Sequence, residues 1–240
     1  MKKFLLFTAF CASLIACSED SKGLSASEES NESSGDSVAY VPVPVDYSAG
    51  RAMNKRLGKG MNLGNSWDSK SYSGDVPDEP YNFGYNDNLD AGWGNPIKDE
   101  YFQILKDAGF NSVRIPVRWQ HNSDPVTHTV NPERLAGVKE DIQLAMDAGL
   151  AVIVNFHHYS ELNEAANNSD KDPAAYEAEK AHFFALWEQV AEEMNAFPDS
   201  LLVLELLNEP TVKSVDHLNE ITLGAYEIVR KKAPNKTIMI

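Results

Sequence analysis

Short apolar runs alternate along the chain with longer segments in which apolar residues recur at helical spacing. The clearest run covers residues 201–207 and contains a single polar residue, Glu205. A run that is apolar on both faces is typical of a parallel strand covered on both sides. We therefore predict a buried strand here that stops at Pro210, because proline has no N–H to donate to the sheet.

Four segments show the apolar spacing of amphipathic helices, and each follows or precedes a short apolar run. A closed (β/α)8 TIM barrel repeats this strand–helix unit eight times. We count four units plus one strand, and predict an α/β fold, a TIM barrel truncated after about the fifth strand. An open α/β sheet is the alternative, although no glycine-rich phosphate loop follows any strand. The predicted helices cover residues 95–108, 131–148, 173–196 and 216–233, and the fifth strand begins at residues 237–240.

The first residues have the pattern of a secretory signal. Two lysines precede a short apolar stretch, so we predict a signal peptide over residues 1–16. The sequence before Cys17 resembles the bacterial lipoprotein cleavage box, in which the cysteine is lipidated; a buried core cysteine is the alternative. This resemblance implies a secreted protein that lipid chains anchor to the bacterial cell envelope, its only contact with a membrane.

Composition changes sharply after Cys17. Residues 17–45 are rich in serine and glutamate and are predicted to form a flexible tether, and residues 46–240 are predicted to form the N-terminal part of the barrel domain. Both cysteines, Cys11 and Cys17, precede the domain, which excludes a cysteine nucleophile within it.

The formal net charge of −15 argues against nucleic acid or anionic lipid as a partner, and it favours a neutral substrate. Solubility alone would also explain this charge. We expect a monomer.

Asn208 and Glu209 follow the apolar run directly. Parallel α/β folds place catalytic groups at the carboxyl ends of their strands. A partly desolvated carboxylate has a raised pKa and can act as a general acid, and a neighbouring amide can orient a substrate hydroxyl. The alternative is that the two residues merely begin a loop.

Four stretches together resemble, in order, the first four strand motifs of glycoside hydrolase family 5, the cellulase family. The resemblance covers roughly residues 55–240, about half of the family's domain. It implies a retaining, endo-acting hydrolase of β-1,4-glucan, a cellulose-type polysaccharide, without a cofactor. A β-mannanase or xyloglucanase, or a non-catalytic carbohydrate-binding lipoprotein, remains the alternative. The stretches are residues 60–65, 113–119, 152–158 and 206–210.

The same resemblance implies roles for particular residues. Glu209 becomes the proton donor beside Asn208, Arg114 the arginine that orients the nucleophile, and His157 the histidine of the glycone subsite. An ion pair without a catalytic part is the alternative for Arg114. The nucleophile of this family follows the seventh strand, which lies past Ile240, so we expect the 240 residues alone to be inactive.

Aromatic side chains are concentrated in the long connection after the first strand. Flat rings suit the apolar faces of sugars, although a small hydrophobic cluster under the loop would also explain them. The motif that begins at Trp93 resembles one in the family's endoglucanase and xyloglucanase branch. The predicted substrate-binding residues are Asn65, Trp67, Trp93, Trp119, His158 and Tyr159.

Two expectations concern charged or metal-binding groups. His157 and His158 are adjacent on a predicted strand and should point to opposite faces, so we predict no metal site. Glu205 lies within an apolar strand, where a lone carboxylate is costly, and we predict that it pairs with a polar group on a neighbouring strand, Arg114 first.

Overall fold

The computed structural model describes residues 47–69 and 93–240, which lie within a compact unit, Val45–Ile240. The predicted signal peptide, Cys17, the tether and most of the aromatic loop lie outside the described residues. Within the described part, no helix is both long and apolar enough to cross a bilayer.

Five parallel strands form one sheet, and their order in the sheet follows their order in the chain. Each strand is joined to the next by a connection that contains at least one helix, as in the wall of a (β/α) barrel. The register pairs Asn62 with Arg114 and Asn155 with Glu205 across neighbouring strands. The strands are β1 Gly60–Asn62, β2 Ser112–Ile115, β3 Ala151–Asn155, β4 Leu202–Glu205 and β5 Thr237–Met239.

Three of the four predicted helices are confirmed to within about two residues. The clearest start is that of α3, where Asn131 accepts hydrogen bonds from the N–H groups of Glu133 and Arg134, and proline takes the first helical position. The helices are α1 Ser48–Leu57, α2 Glu100–Asp107, α3 Pro132–Asp147, α4 Ser160–Asn167, α5 Pro173–Met194 and α6 Val215–Lys232, with a 3₁₀ turn at Gln120–Asn122.

The helix predicted from residue 95 begins later, at Glu100. Asn95 does not cap it, because its side chain donates to the carbonyl of Gly64 and its own carbonyl accepts from the hydroxyl of Ser66. Asn95 is therefore fixed against the loop that follows β1.

The predicted end of β4 is also wrong. The strand stops at Glu205, well before Pro210. After Glu205, the N–H of Leu206 still donates to the carbonyl of Met239 on β5, and the ladder between the two strands ends there. Trp187 of α5 then holds the chain, since its indole N–H donates to the carbonyl of Leu206.

The core lies between the sheet and the helices α3, α5 and α6. Val113, Val152 and Leu204 are completely buried, as expected for strands covered by helices. This packing fixes the carboxyl ends of β1 to β4, where the polar side chains of interest lie. On α5 the fully buried residues are Phe183, Leu186, Trp187, Val190, Ala191 and Met194.

Candidate active site

Arg114 is the centre of a hydrogen-bond network at the carboxyl edge of the sheet. Its Nε and Nη2 donate to the two carboxylate oxygens of Glu205, each at 2.6 Å. Nη2 also donates to Oδ1 of Asn208 at 2.8 Å, and Nη1 donates to Oδ1 of Asn62 at 2.9 Å. One guanidinium thus connects residues of β1, β2, β4 and the segment after β4.

The predicted pairing of Glu205 with Arg114 is confirmed, but the expectation that the partner lies on a neighbouring strand is wrong, because β3 lies between β2 and β4. The two side chains are 13% and 22% exposed, so the pair is largely but not fully withdrawn from water. Two parallel N–H···O bonds from one guanidinium fix both the distance and the plane of the carboxylate.

Glu209 lies four residues beyond the last residue of β4 and is exposed. Its φ of 44° is in the left-handed region, which is rare for a residue with a Cβ and is common at functional sites. Its neighbour Asn208 is anchored twice, by the bond from Arg114 and by its own N–H, which donates to the carbonyl of Phe156. The backbone that carries Glu209 is therefore held by a rigid residue.

His157 and His158 both approach the same carboxylate, that of Asp68. Oδ2 of Asp68 is 3.3 Å from Nε2 of His158 and 3.9 Å from Nε2 of His157. The expectation that the two rings point to opposite faces is wrong. β3 ends at Asn155, and His158 has a φ of 59°, so the alternation of an extended strand no longer applies.

The electrostatics of this group follow from burial and from the neighbouring charges. Burial, and then the nearby His158 and Arg114, lower the pKa of His157 to about 4, so this ring is neutral at neutral pH. Burial raises the pKa of Asp68, but the hydrogen bond with His158 and the proximity of His157 outweigh it, and the net pKa is lowered.

Trp93 extends the site outward. It is 40% exposed, its ring lies edge-on to that of His158 at 5.8 Å, and the guanidinium of Arg118 lies 5.8 Å from its centroid. Asn65 is also exposed, with a φ of 65°. Of the predicted substrate-binding residues, Asn65, Trp93 and His158 therefore remain accessible.

The other three predicted substrate-binding residues are core side chains, and this part of the prediction is corrected. Trp67, Trp119 and Tyr159 are at most 5% exposed. Their polar atoms are used internally, because the indoles donate to Asp141 and to the carbonyl of Asn155, and the Tyr159 hydroxyl donates to a carboxylate of α5. These three residues lie close to strand ends in the sequence, but they are not exposed.

Two residues of the site were not predicted as functional, Asn62 and Asp68. Asn62 is the last residue of β1 and pairs in register with Arg114. Asp68 follows the same strand after a short turn, and Ser66 donates its N–H to Oδ1 of Asp68 at 3.0 Å. An aspartate shortly after the first predicted strand, together with the histidine pair at the end of the third, was the signal available in the sequence.

Parallel strands in chain order, with polar groups at their carboxyl edge, define the class of (β/α)-barrel proteins that carry a site at this edge. The family profile described as Cellulase (glycosyl hydrolase family 5) matches residues 75–240. The chain belongs to this family, and the predicted barrel class is confirmed.

Individual relatives agree with this assignment. Endoglucanase A of Ruminococcus albus is 33% identical over 160 residues, which are 64% of this chain and 38% of that protein. Thermotoga maritima Cel5A in complex with cellobiose matches with a TM-score of 0.62 and 34% identity, over 78% of this chain and 52% of that one. The same protein in complex with mannotriose matches with a TM-score of 0.62 and 33% identity, over the same shares of the two chains. The chain thus spans about half or less of these relatives.

Proposed function

We propose that the whole protein is a retaining endo-β-1,4-glucanase in which Glu209 is the proton donor. The observation that carries the proposal is the network around Arg114, which fixes Asn208 and so places the exposed Glu209 at the carboxyl edge of the sheet. Membership of a cellulase family supports the reaction class, and endoglucanases among the relatives support the endo mode.

The chemistry needs two carboxyl groups about 5–5.5 Å apart, one on each side of the scissile bond. Protonated Glu209 gives its proton to the glycosidic oxygen while the bond from C1 to that oxygen breaks. A second carboxylate attacks C1 and forms a covalent glycosyl intermediate. Deprotonated Glu209 then removes a proton from the water that releases the sugar. By family resemblance the second carboxylate follows the seventh strand, and we propose that residues 1–240 do not hydrolyse glycosides without it.

The accessible groups suit a neutral sugar chain. The exposed face of Trp93 can stack on a pyranose ring, and the neutral ring of His157 can hydrogen-bond a hydroxyl without a net charge. A β-mannan is the second candidate, because one structurally similar protein was solved with mannotriose.

The test is a substrate panel on the full-length protein. We expect soluble β-1,4-glucan to be cut internally, so that viscosity falls before many reducing ends appear, and we expect NMR to detect the β-anomer of the product first. Faster turnover of mannan than of glucan would replace the proposed substrate. Binding of glucan without any cleavage would instead identify a carbohydrate-binding lipoprotein.

We also propose that Cys17 is lipidated and anchors the protein to the bacterial cell envelope. In cells, the wild-type protein is expected to partition into the detergent phase, and Cys17→Ala is expected to remain unprocessed or to be released. The matched control is Cys11→Ala, which leaves the cleavage box intact. A wild-type protein that is freely soluble, with an N-terminus other than Cys17, would contradict the proposal.

A further inference from the structure

The three side chains of Asp68, His157 and His158 form a cluster with the composition and spacing of a metal site. One ligand atom from each residue lies within 4.8 Å of the other two, and the shared carboxylate oxygen is 3.3 Å and 3.9 Å from the two imidazole Nε2 atoms. We propose that these residues bind a divalent first-row transition metal ion, for which Zn²⁺ is the test ion.

The donor atoms select this class of ion. Two imidazole nitrogens and one carboxylate oxygen suit Zn²⁺, Ni²⁺ or Cu²⁺, whereas Ca²⁺ and Mg²⁺ prefer shells made of oxygen alone. Ligands at about 2.1 Å in tetrahedral geometry lie about 3.4 Å apart. The distance from Asp68 to His158 already fits, and His157 has to approach by about 0.5 Å. Three protein ligands leave a fourth position for water.

The contacts around Asp68 orient its carboxylate for metal binding. Asp68 is buried, and the N–H of Ser66 donates to its Oδ1, while Oδ2 faces the histidines. Its backbone carbonyl accepts from Nε of Arg118, which holds the loop in place. Such contacts behind a ligand fix its orientation and strengthen metal binding.

His157 has a partner on its other nitrogen, since Nδ1 lies 3.1 Å from Nδ2 of Asn155. When Nε2 binds a metal, Nδ1 carries the proton and needs an acceptor. Asn155 supplies one if its amide turns over, and the 3.3 Å bond that its oxygen accepts from the N–H of Val117 is then lost. This rearrangement lowers the affinity and argues for a reversible rather than a permanent ion.

Charges around the cluster nearly cancel. The positive charges of Arg114 and Arg118 repel a cation. Glu205 pairs with Arg114, and the negative charges of Glu161 and Asp68 act on Arg118. The side chain of His158 is 38% exposed, so an ion can enter from solvent on that side.

A bound ion would occupy the nitrogen atoms that face the accessible part of the site. On the proposed function, which this consequence requires, Zn²⁺ inhibits glucan hydrolysis and a chelator restores it. Metal binding itself does not depend on that function and is measured separately.

The experiment is calorimetric titration of the tag-free full-length protein with ZnCl₂, together with anomalous diffraction at the zinc edge. We expect one anomalous peak between Asp68, His157 and His158. We expect Asp68→Asn and His158→Gln each to weaken Zn²⁺ binding at least about 10-fold. His217→Gln, a histidine on α6 far from these residues in the chain, is the matched control and should bind as the wild type does.

Each outcome decides the proposal. His158 is partly exposed, so His158→Gln should fold even if Asp68→Asn does not. Unchanged Zn²⁺ affinity in His158→Gln, an anomalous peak elsewhere, or equally tight Ca²⁺ binding would overturn the site. Zn²⁺ binding at the cluster by a protein that cleaves no glycan would confirm the site and refute the proposed function.

Discussion

Replacing Glu209 by glutamine in the full-length protein is expected to lower turnover of a cello-oligosaccharide by about 10²- to 10⁴-fold, the usual contribution of a general acid. Glutamine keeps the size of the side chain but cannot deliver a proton to the leaving oxygen. Because Glu209 is exposed, the free energy of unfolding should change by less than about 0.5 kcal/mol. Steady-state kinetics and denaturant unfolding on the same samples measure the two effects.

Three comparisons test the role of Glu209 further. An aryl cellobioside with a very acidic phenol needs little protonation, so its first chemical step should be much less affected by Glu209→Gln than that of a natural oligosaccharide. The matched control is Glu227→Gln on α6, a glutamate outside the site network that we expect to leave turnover unchanged.

The 240-residue chain should show no turnover. Turnover by that chain that disappears with Glu209→Gln would show that a second carboxylate within these residues completes the site.

Breaking the pair between Arg114 and Glu205 is expected to have the largest effect on stability. Glu205→Gln removes the negative charge that accepts both bonds from the partly buried guanidinium. Loss of one member of a buried pair costs about 3–5 kcal/mol, and the partial exposure here reduces the expected loss to about 2–3 kcal/mol. Turnover should fall as well, because a displaced Arg114 no longer holds Asn208.

The matched control is Lys139→Met, which removes an ion pair with Glu193 whose side chains are 34% and 44% exposed. This change should cost less than about 1 kcal/mol. The double variant Arg114→Met with Glu205→Met, compared with each single methionine variant, measures the coupling between the two sites. Denaturation midpoints for Glu205→Gln that equal those of Lys139→Met would contradict the assigned role of the pair.

Much of the fold could be predicted because the local signals agreed with one another. α3 begins with Asn131 followed by a proline, and apolar runs predicted the strands that α3 and α5 cover. The short helices α1 and α4 were missed, because their sequences contain few large apolar residues, Met53 and Leu57 in α1 and Leu162 in α4, and so give little periodicity to detect. The predicted helix start at residue 95 was wrong, because the side chain of Asn95 makes a long-range bond to the loop after β1 and the helix begins only at Glu100.

Within the site, the sequence predicted only the contact that the chemistry of one residue, Glu205, required. Glu205 in an apolar strand required a partner, and parallel registers brought Arg114 within reach. The contact of Asp68 with the histidines depends on the loop after β1 and on the unusual backbone of His158, which no sequence period encodes. Exposure of the aromatic residues depends on tertiary packing in the same way.

Asn65, His158 and Glu209 share a left-handed backbone, and each follows a different strand of the sheet. Such a conformation costs about 1 kcal/mol or more for a residue with a Cβ, and glycine would adopt it freely. If these three side chains have the roles proposed above, stability and activity favour different residues at their positions. Glycine at these positions would then relieve the backbone and remove the side chains that contact the substrate, so a thermostable variant would have to gain its stability elsewhere, in the helices or the core.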